Sequence, residues 1–121
     1  MPIKLDPRHN QGAFVFVSVS NRGSINPDDI IASIQEKEGL TIVIPQDVAD
    51  RLHLTYDYVA AWISLDIQTE LDAVGITAAF ANALAVADIS CNVIAGYYHD
   101  HLFVDQRDKT DAMEILTTLV I

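Results

Sequence analysis

Residues 59–104 read VAAWISLDIQTELDAVGITAAFANALAVADISCNVIAGYYHDHLFV, and the order of patterns within them decides the fold. Val59, Ala61, Ile63, Leu65 and Ile67 alternate with Ala60, Trp62, Ser64 and Asp66, the period-two signature of a half-buried strand. From Ile76 the period changes. Ile76, Phe80, Ala83, Leu84 and Ala87 share one helical stripe, and Ala78, Ala81 and Ala85 occupy the other side. Residues 91–98 return to strand composition, His99-Asp100 reads as a turn, and residues 101–104 as a third strand.

On the N-terminal side, residues 1–12 carry Pro2, Pro7, Asn10 and Gly12 and read as an irregular lead-in. Residues 13–19, AFVFVSV, are apolar on both alternating faces, as in a strand covered on two sides. SNRGSINP at 20–27 is turn chemistry. A short helix is expected from Pro27 through Ile30, Ile31 and Ile34, with Asn26 as its cap and a glycine stop at Gly39. Residues 40–44 form a strand that Pro45 ends, and two helical turns follow with Val48 and Leu52 inward. A polar loop, 105–108, leads to a last helix over 109–119 with Ala112, Ile115, Leu116 and Leu119 buried.

From Val59 the order is βαββα, which is the ferredoxin-like βαββαβ unit without its last strand. The fold class is therefore α/β (α+β): an antiparallel sheet with helices over one face. The missing edge strand must be supplied, because an open strand edge is a liability. Residues 13–19 are the expected donor, and the strand at 40–44 builds a second, truncated half. The division expected is 1–57 for that N-terminal half and 58–121 for the complete one. The alanine-rich side of the central helix reflects either helix propensity alone or close approach of another backbone. The second reading makes a homo-oligomer the natural expectation.

The 121 residues are half apolar and one-fifth charged, with a formal net charge of −10. That is a globular chain, and a field of that sign opposes nucleic acid and anionic lipid. The single cysteine, Cys91, excludes a disulfide framework within the chain. No apolar run approaches the length of a membrane span and the start lacks a signal-peptide core, so a cytoplasmic protein is expected.

Two stretches could carry chemistry. His99-Asp100-His101 offers two imidazoles and a carboxylate, so a metal-dependent site is conceivable, with His9, His53 or Asp105 as further ligands; ordinary turn material is the competing reading. Cys91 reads as an apolar filler of a strand. The other stretch is QTELDAVGIT, 68–77, joining a strand to a helix N-terminus whose free N–H groups attract a carboxylate. Gly75 leaves that backbone accessible, while Asp66, Glu70 or Asp72 could meet an ammonium group and Asn92 add an amide. Asp72 as a plain helix cap and Asn92 as a solvated side chain are the alternative. Neither stretch contains a general acid–base pair or a partnered nucleophile, so no catalytic residue, cofactor or resident metal is assigned.

EKEGLTIVIP (36–45), LDAVGITAAFANALA (71–85) and above all ISCNVIAGYYHDHLFV (89–104) resemble the ACT domain family, specifically its small standalone bacterial members. The arrangement is also similar to the tandem ACT-type arginine sensors of animal cells. The resemblance implies a ferredoxin-like ACT-type fold, side-by-side pairing, and regulatory binding of an amino acid or related metabolite at the pairing interface. Asp72 and Gly75 match the Asp and Gly of the family's ligand loop, and Val74 stands where proline is common. The resemblance thus points to Asp72, Val74, Gly75, Ile76 and Thr77 as ligand-binding, with Asn92 on the adjoining strand. With no attached catalytic domain expected, any output is expected to pass to a partner protein. A ligand-free interaction module and a metal-dependent enzyme built on His99-Asp100-His101 are the alternatives.

Overall fold

The strand alternation of residues 59–65 is realised as β4 (Val59–Leu65) in the computed structural model, which describes residues 5–66 and 75–121. Before it come β1 (Pro7–Val19), β2 (Ala32–Gln35), β3 (Leu40–Pro45) and the short helix α1 (Gln46–Arg51). After it come α2 (Ile76–Val86), β5 (Asn92–Ala95), β6 (Asp100–Asp105) and α3 (Lys109–Thr118). The six strands follow the hydrogen-bonded order β2-β3-β1-β4-β6-β5. The chain forms two compact units, one of residues 1–11 with 61–121 and the other of residues 12–60. No helix among the described residues is long and apolar enough to cross a membrane.

The first unit has the expected ferredoxin-like arrangement. Ala61, Ile63 and Leu65 of β4 are fully buried, as are Leu102 and Val104 of β6, and both sets pack with Ile76, Phe80 and Leu84 of α2 and Ala112 and Leu116 of α3. The i, i+4, i+8 spacing in α2 aligns its three residues on one stripe, which turns that helix onto the sheet. β5 and β6 are antiparallel, with Asn92 opposite Phe103 and Val93 opposite Leu102.

The missing edge strand comes from β1, but not from 13–19. Its residues up to Gln11 belong to this unit, and the Asp66 N–H donates to the Asp6 carbonyl at 3.1 Å. The irregular lead-in expected for 1–12 is thus corrected from Pro7 onward. Proline at the first residue of a strand withholds an N–H where the ladder has not yet begun.

The second unit corrects the helix expected from Pro27 to the glycine stop at Gly39. Pro27–Asp29 is a single 3₁₀ turn, and the Asn26 carboxamide accepts from the Asp28 N–H at 3.0 Å, so the cap is real and the helix is not. Ile30 is already extended, and β2 pairs antiparallel with β3, Ala32 opposite Val43 and Gln35 opposite Leu40. β-Branched residues lose rotamer freedom in a helix and pack well on a pleated surface. Gly39 ends a hairpin rather than a helix: the Glu36 N–H donates to its carbonyl at 2.9 Å. A Cβ there would lie 2.9 Å from Ser18 Oγ and 3.1 Å from the Val19 carbonyl oxygen of the neighbouring β1. Val15 and Val17 of β1, Ile42 and Ile44 of β3, and Val48 and Ala49 of α1 form this unit's core, with Ile25.

Candidate functional site

Strand alternation gives the first unit's sheet a second face, pointing away from α2 and α3. In β4 that face carries Trp62 and Ser64, the side chains between the buried Ala61, Ile63 and Leu65, and Asp66 follows directly after the strand. Arg8 and Asn10 of β1 join them, as do His101 and Phe103 of β6. His99 arrives from the turn between β5 and β6. The turn occupies 96–99, two residues earlier than the expected His99-Asp100, because the Gly96 N–H donates to the His99 carbonyl at 2.9 Å. Tyr97 and Tyr98 are therefore exposed at its tip, and His99 is left at its end, beside Asp66.

These side chains form a connected polar network. Asp66 Oδ2 lies 3.4 Å from Arg8 Nη2, and its Oδ1 lies 3.4 Å from His99 Nδ1. The Asn10 amide donates to Ser64 Oγ at 3.0 Å and to the Trp62 carbonyl at 3.3 Å. The Trp62 indole N–H donates to His101 Nδ1 at 3.0 Å, with Ser64 Oγ 3.2 Å from the same nitrogen. Beneath the network Trp62 stacks on Phe103, ring centroids 6.4 Å apart. Arg8, Asn10, Ser64, Asp66 and His99 line an open cleft of about 260 Å³.

An indole N–H only donates, so Nδ1 of His101 accepts and the proton of the neutral ring sits on Nε2. Burial lowers the pKa of His101, the neighbouring His99 lowers it further, and Asp100 acts in the opposite sense. His9, on the helix-facing side of β1, is lowered too, by burial and by Lys109. Lowered folded values mean that the unfolded chain takes up these protons first on acidification. The stability attached to the two neutral rings is complete above 6.5, their ordinary value, and is lost as the pH falls through the lowered folded values. Urea midpoints are expected to fall over that window in the native chain and less steeply in His101→Gln. An equal slope in the variant would mean that the indole contact does not depend on an unprotonated His101.

The other candidate stretch lies at the start of α2. Asp72 and Val74 lie outside the described residues, as does Glu70. Gly75 is the N-cap of α2, with φ 93° and ψ −16°, and no side chain caps it among the described residues. None of the described residues approaches within 4 Å of the position a Cβ would take there. Ile76 turns its side chain into the core, leaving only its backbone for a ligand, while Thr77 is exposed. Asn92 is not brought to this helix entry. It sits opposite Phe103, whose neighbours Leu102 and Val104 face the helices, so Asn92 belongs to the other face of the sheet. Its amide reaches the Phe103 carbonyl at 3.5 Å.

His99 and His101 do approach, ring centroids 6.2 Å apart. Among the described residues, however, no group of three or more His, Cys, Asp or Glu is placed to hold a metal ion. Burial pushes the Cys91 thiol up to about 11, which suits an inert strand residue. Arg8, Asn10 and Ser64 are not among the candidates that the sequence pattern offers. Ser64 stood on the polar face of an alternating strand, which was the available signal; Arg8 and Asn10 were hidden by the breakers Pro7 and Gly12.

Residues 3–61 match one ACT domain family model and residues 58–118 match another. No curated protein matches the chain. A Vibrio cholerae protein of unknown function, described as a possible transport protein, superposes with a TM-score of 0.84 at 38% identity, over 93% of this chain and 88% of that one. An Agrobacterium tumefaciens protein follows at 18% identity and TM-score 0.71, covering 94% and 87%. An allosteric aspartate kinase of Clostridium acetobutylicum matches over 93% of this chain and 33% of its own, at 10% identity and TM-score 0.62. The last two likenesses are of fold.

Proposed function

Because this chain belongs to the ACT-domain family, whose members are ligand-binding regulatory modules, we propose that it senses an amino acid or a related metabolite. In this reading residues 1–57 are an ACT-like half supplying strands and 58–121 the ACT domain. The chain self-associates, works in the cytoplasm, performs no reaction of its own and passes its signal to a partner protein. The ligand's carboxylate meets the first-turn N–H groups of α2 through the loop and helix entry at Asp72, Val74, Gly75, Ile76 and Thr77. Asn92 is left out, since it faces the other way. The observation that carries the reading is Gly75: left-handed and, among the described residues, without a side-chain cap and with nothing within 4 Å of where a side chain would stand. Free N–H groups at a helix start favour a carboxylate or phosphate.

The test is a thermal-shift screen against the twenty common amino acids, followed by calorimetry on any that respond. A ligand at ~100 times its Kd adds about 2.7 kcal/mol of stability and raises the melting temperature visibly. A melting temperature unmoved by every amino acid and by common nucleotides overturns the reading. It would favour the rival, a ligand-free interaction module, for which one observation speaks: Val86 at the end of α2 is 82% exposed, on a helix that also exposes Ala78 and Ala85.

A further inference from the structure

We infer that the cleft lined by Arg8, Asn10, Ser64, Asp66 and His99 is a second binding site, for a small zwitterion bearing an ammonium and a carboxylate group, as α-amino acids do. It shares no residue with the helix entry at Asp72, Val74, Gly75, Ile76 and Thr77, takes Asp66 for itself, and lies on the face of the sheet turned away from α2, so either site can fail without the other.

The charges decide the ligand class. Arg8 of β1 and Asp66, the residue after the end of the adjacent β4, present opposite charges 3.4 Å apart. That separation exceeds the 2.7–2.9 Å of a well-made charge-assisted bond, and the second oxygen of Asp66 meets His99 at an equally long 3.4 Å. Arg8 Nη2 also lies 3.9 Å from Asp6 Oδ2, a longer separation still, so each charge is incompletely satisfied by the protein. A carboxylate on the guanidinium and an ammonium on Asp66 would give each a shorter bond without stranding the other. A simple anion fits less well, because it would leave Asp66 beside it and would enter the field of a chain with net charge −10. A simple cation would leave Arg8 in the same position.

The walls are set before a ligand arrives. Asn10 is tied to Ser64 and to the Trp62 carbonyl, and Ser64 is tied to His101. Groups already ordered lose little freedom on binding. The size agrees: about 260 Å³ lies below the range for drug-sized ligands, which run from ~300 Å³ upward.

Trp62 is the one tryptophan of the chain, and its indole N–H joins the network through His101. Its single indole cross-peak in a ¹H–¹⁵N spectrum reports on the cleft. The experiment titrates the full chain with each common α-amino acid, with the N-acetyl and carboxamide derivatives of any that binds, and with inorganic phosphate. At least one free amino acid is expected to move the indole peak saturably, while both derivatives and phosphate leave it in place. Arg8→Gln and Asp66→Asn, both at solvent-accessible side chains, should each weaken that binding by about tenfold or more with circular dichroism unchanged. Gly75→Val should leave this titration as it was. An indole peak that no amino acid moves overturns the inference, even if calorimetry detects binding at the helix entry. So does a peak that phosphate or a derivative moves equally, or an affinity that neither Arg8→Gln nor Asp66→Asn changes.

Discussion

Phe80→Ala is expected to destabilise the unit built from residues 1–11 and 61–121 by about 3–5 kcal/mol. Phe80 is fully buried in the middle of α2, between Ile76 and Leu84 one turn to either side. Around it pack β4, β6 and α3, contributing Ile63, Leu65, Leu102, Val104, Ala112 and Leu116 to the same cluster. Truncation removes the transfer free energy of the ring and leaves a cavity that helices and strands anchored elsewhere cannot fully close. A small domain with a total stability of only ~5–15 kcal/mol feels such a loss as a large fraction of the whole. Urea denaturation followed by circular dichroism measures it. Val86→Ala on the same helix is the control, because an 82% exposed side chain should cost no more than ~0.5 kcal/mol. A Phe80→Ala loss under ~1 kcal/mol would mean that α2 is not seated on the sheet as described.

Gly75→Val carries the second large effect, on binding rather than on folding. The backbone there has a φ of 93°, a conformation L-residues avoid and β-branched ones avoid most. No described residue comes within 4 Å of a Cβ at this position, so the expected cost is the conformational one, about 1–2 kcal/mol. The helix behind it, held by Ile76, Phe80 and Leu84, should therefore survive. Binding at the helix entry should not: the valine methyls would stand over the first-turn N–H groups, and any relaxation of φ would re-aim them. Calorimetry with an amino acid found in the thermal-shift screen is expected to show no measurable heat. Gly75→Asn is the companion, since asparagine enters the left-handed region more readily, and it should retain part of the affinity. Wild-type affinity in Gly75→Val would remove the helix entry as the site.

Local pattern determined the elements that bury one regular face. The alternation through Ile63 and Leu65, the 76-80-84 stripe and the 112-116 pair each specify a face, and burying that face is what stabilises a strand or a helix in its place. With their order came the ferredoxin-like arrangement and the need for a donated strand. What only the tertiary structure decided depended on partners distant in sequence. Ile30 to Gln35 carried helix signals at Asn26, Pro27 and Gly39, and pairing with β3 overrode them, because a strand's hydrogen bonds belong to its neighbour. Pro7 and Gly12 looked like punctuation, and β4 nonetheless drew the residues between them into β1. The cleft is the furthest from local reading. Arg8 and Asn10 meet Asp66 and Ser64 across 58 and 54 residues of chain, and His99 comes from further still. A charge pair made by packing leaves no period in a sequence.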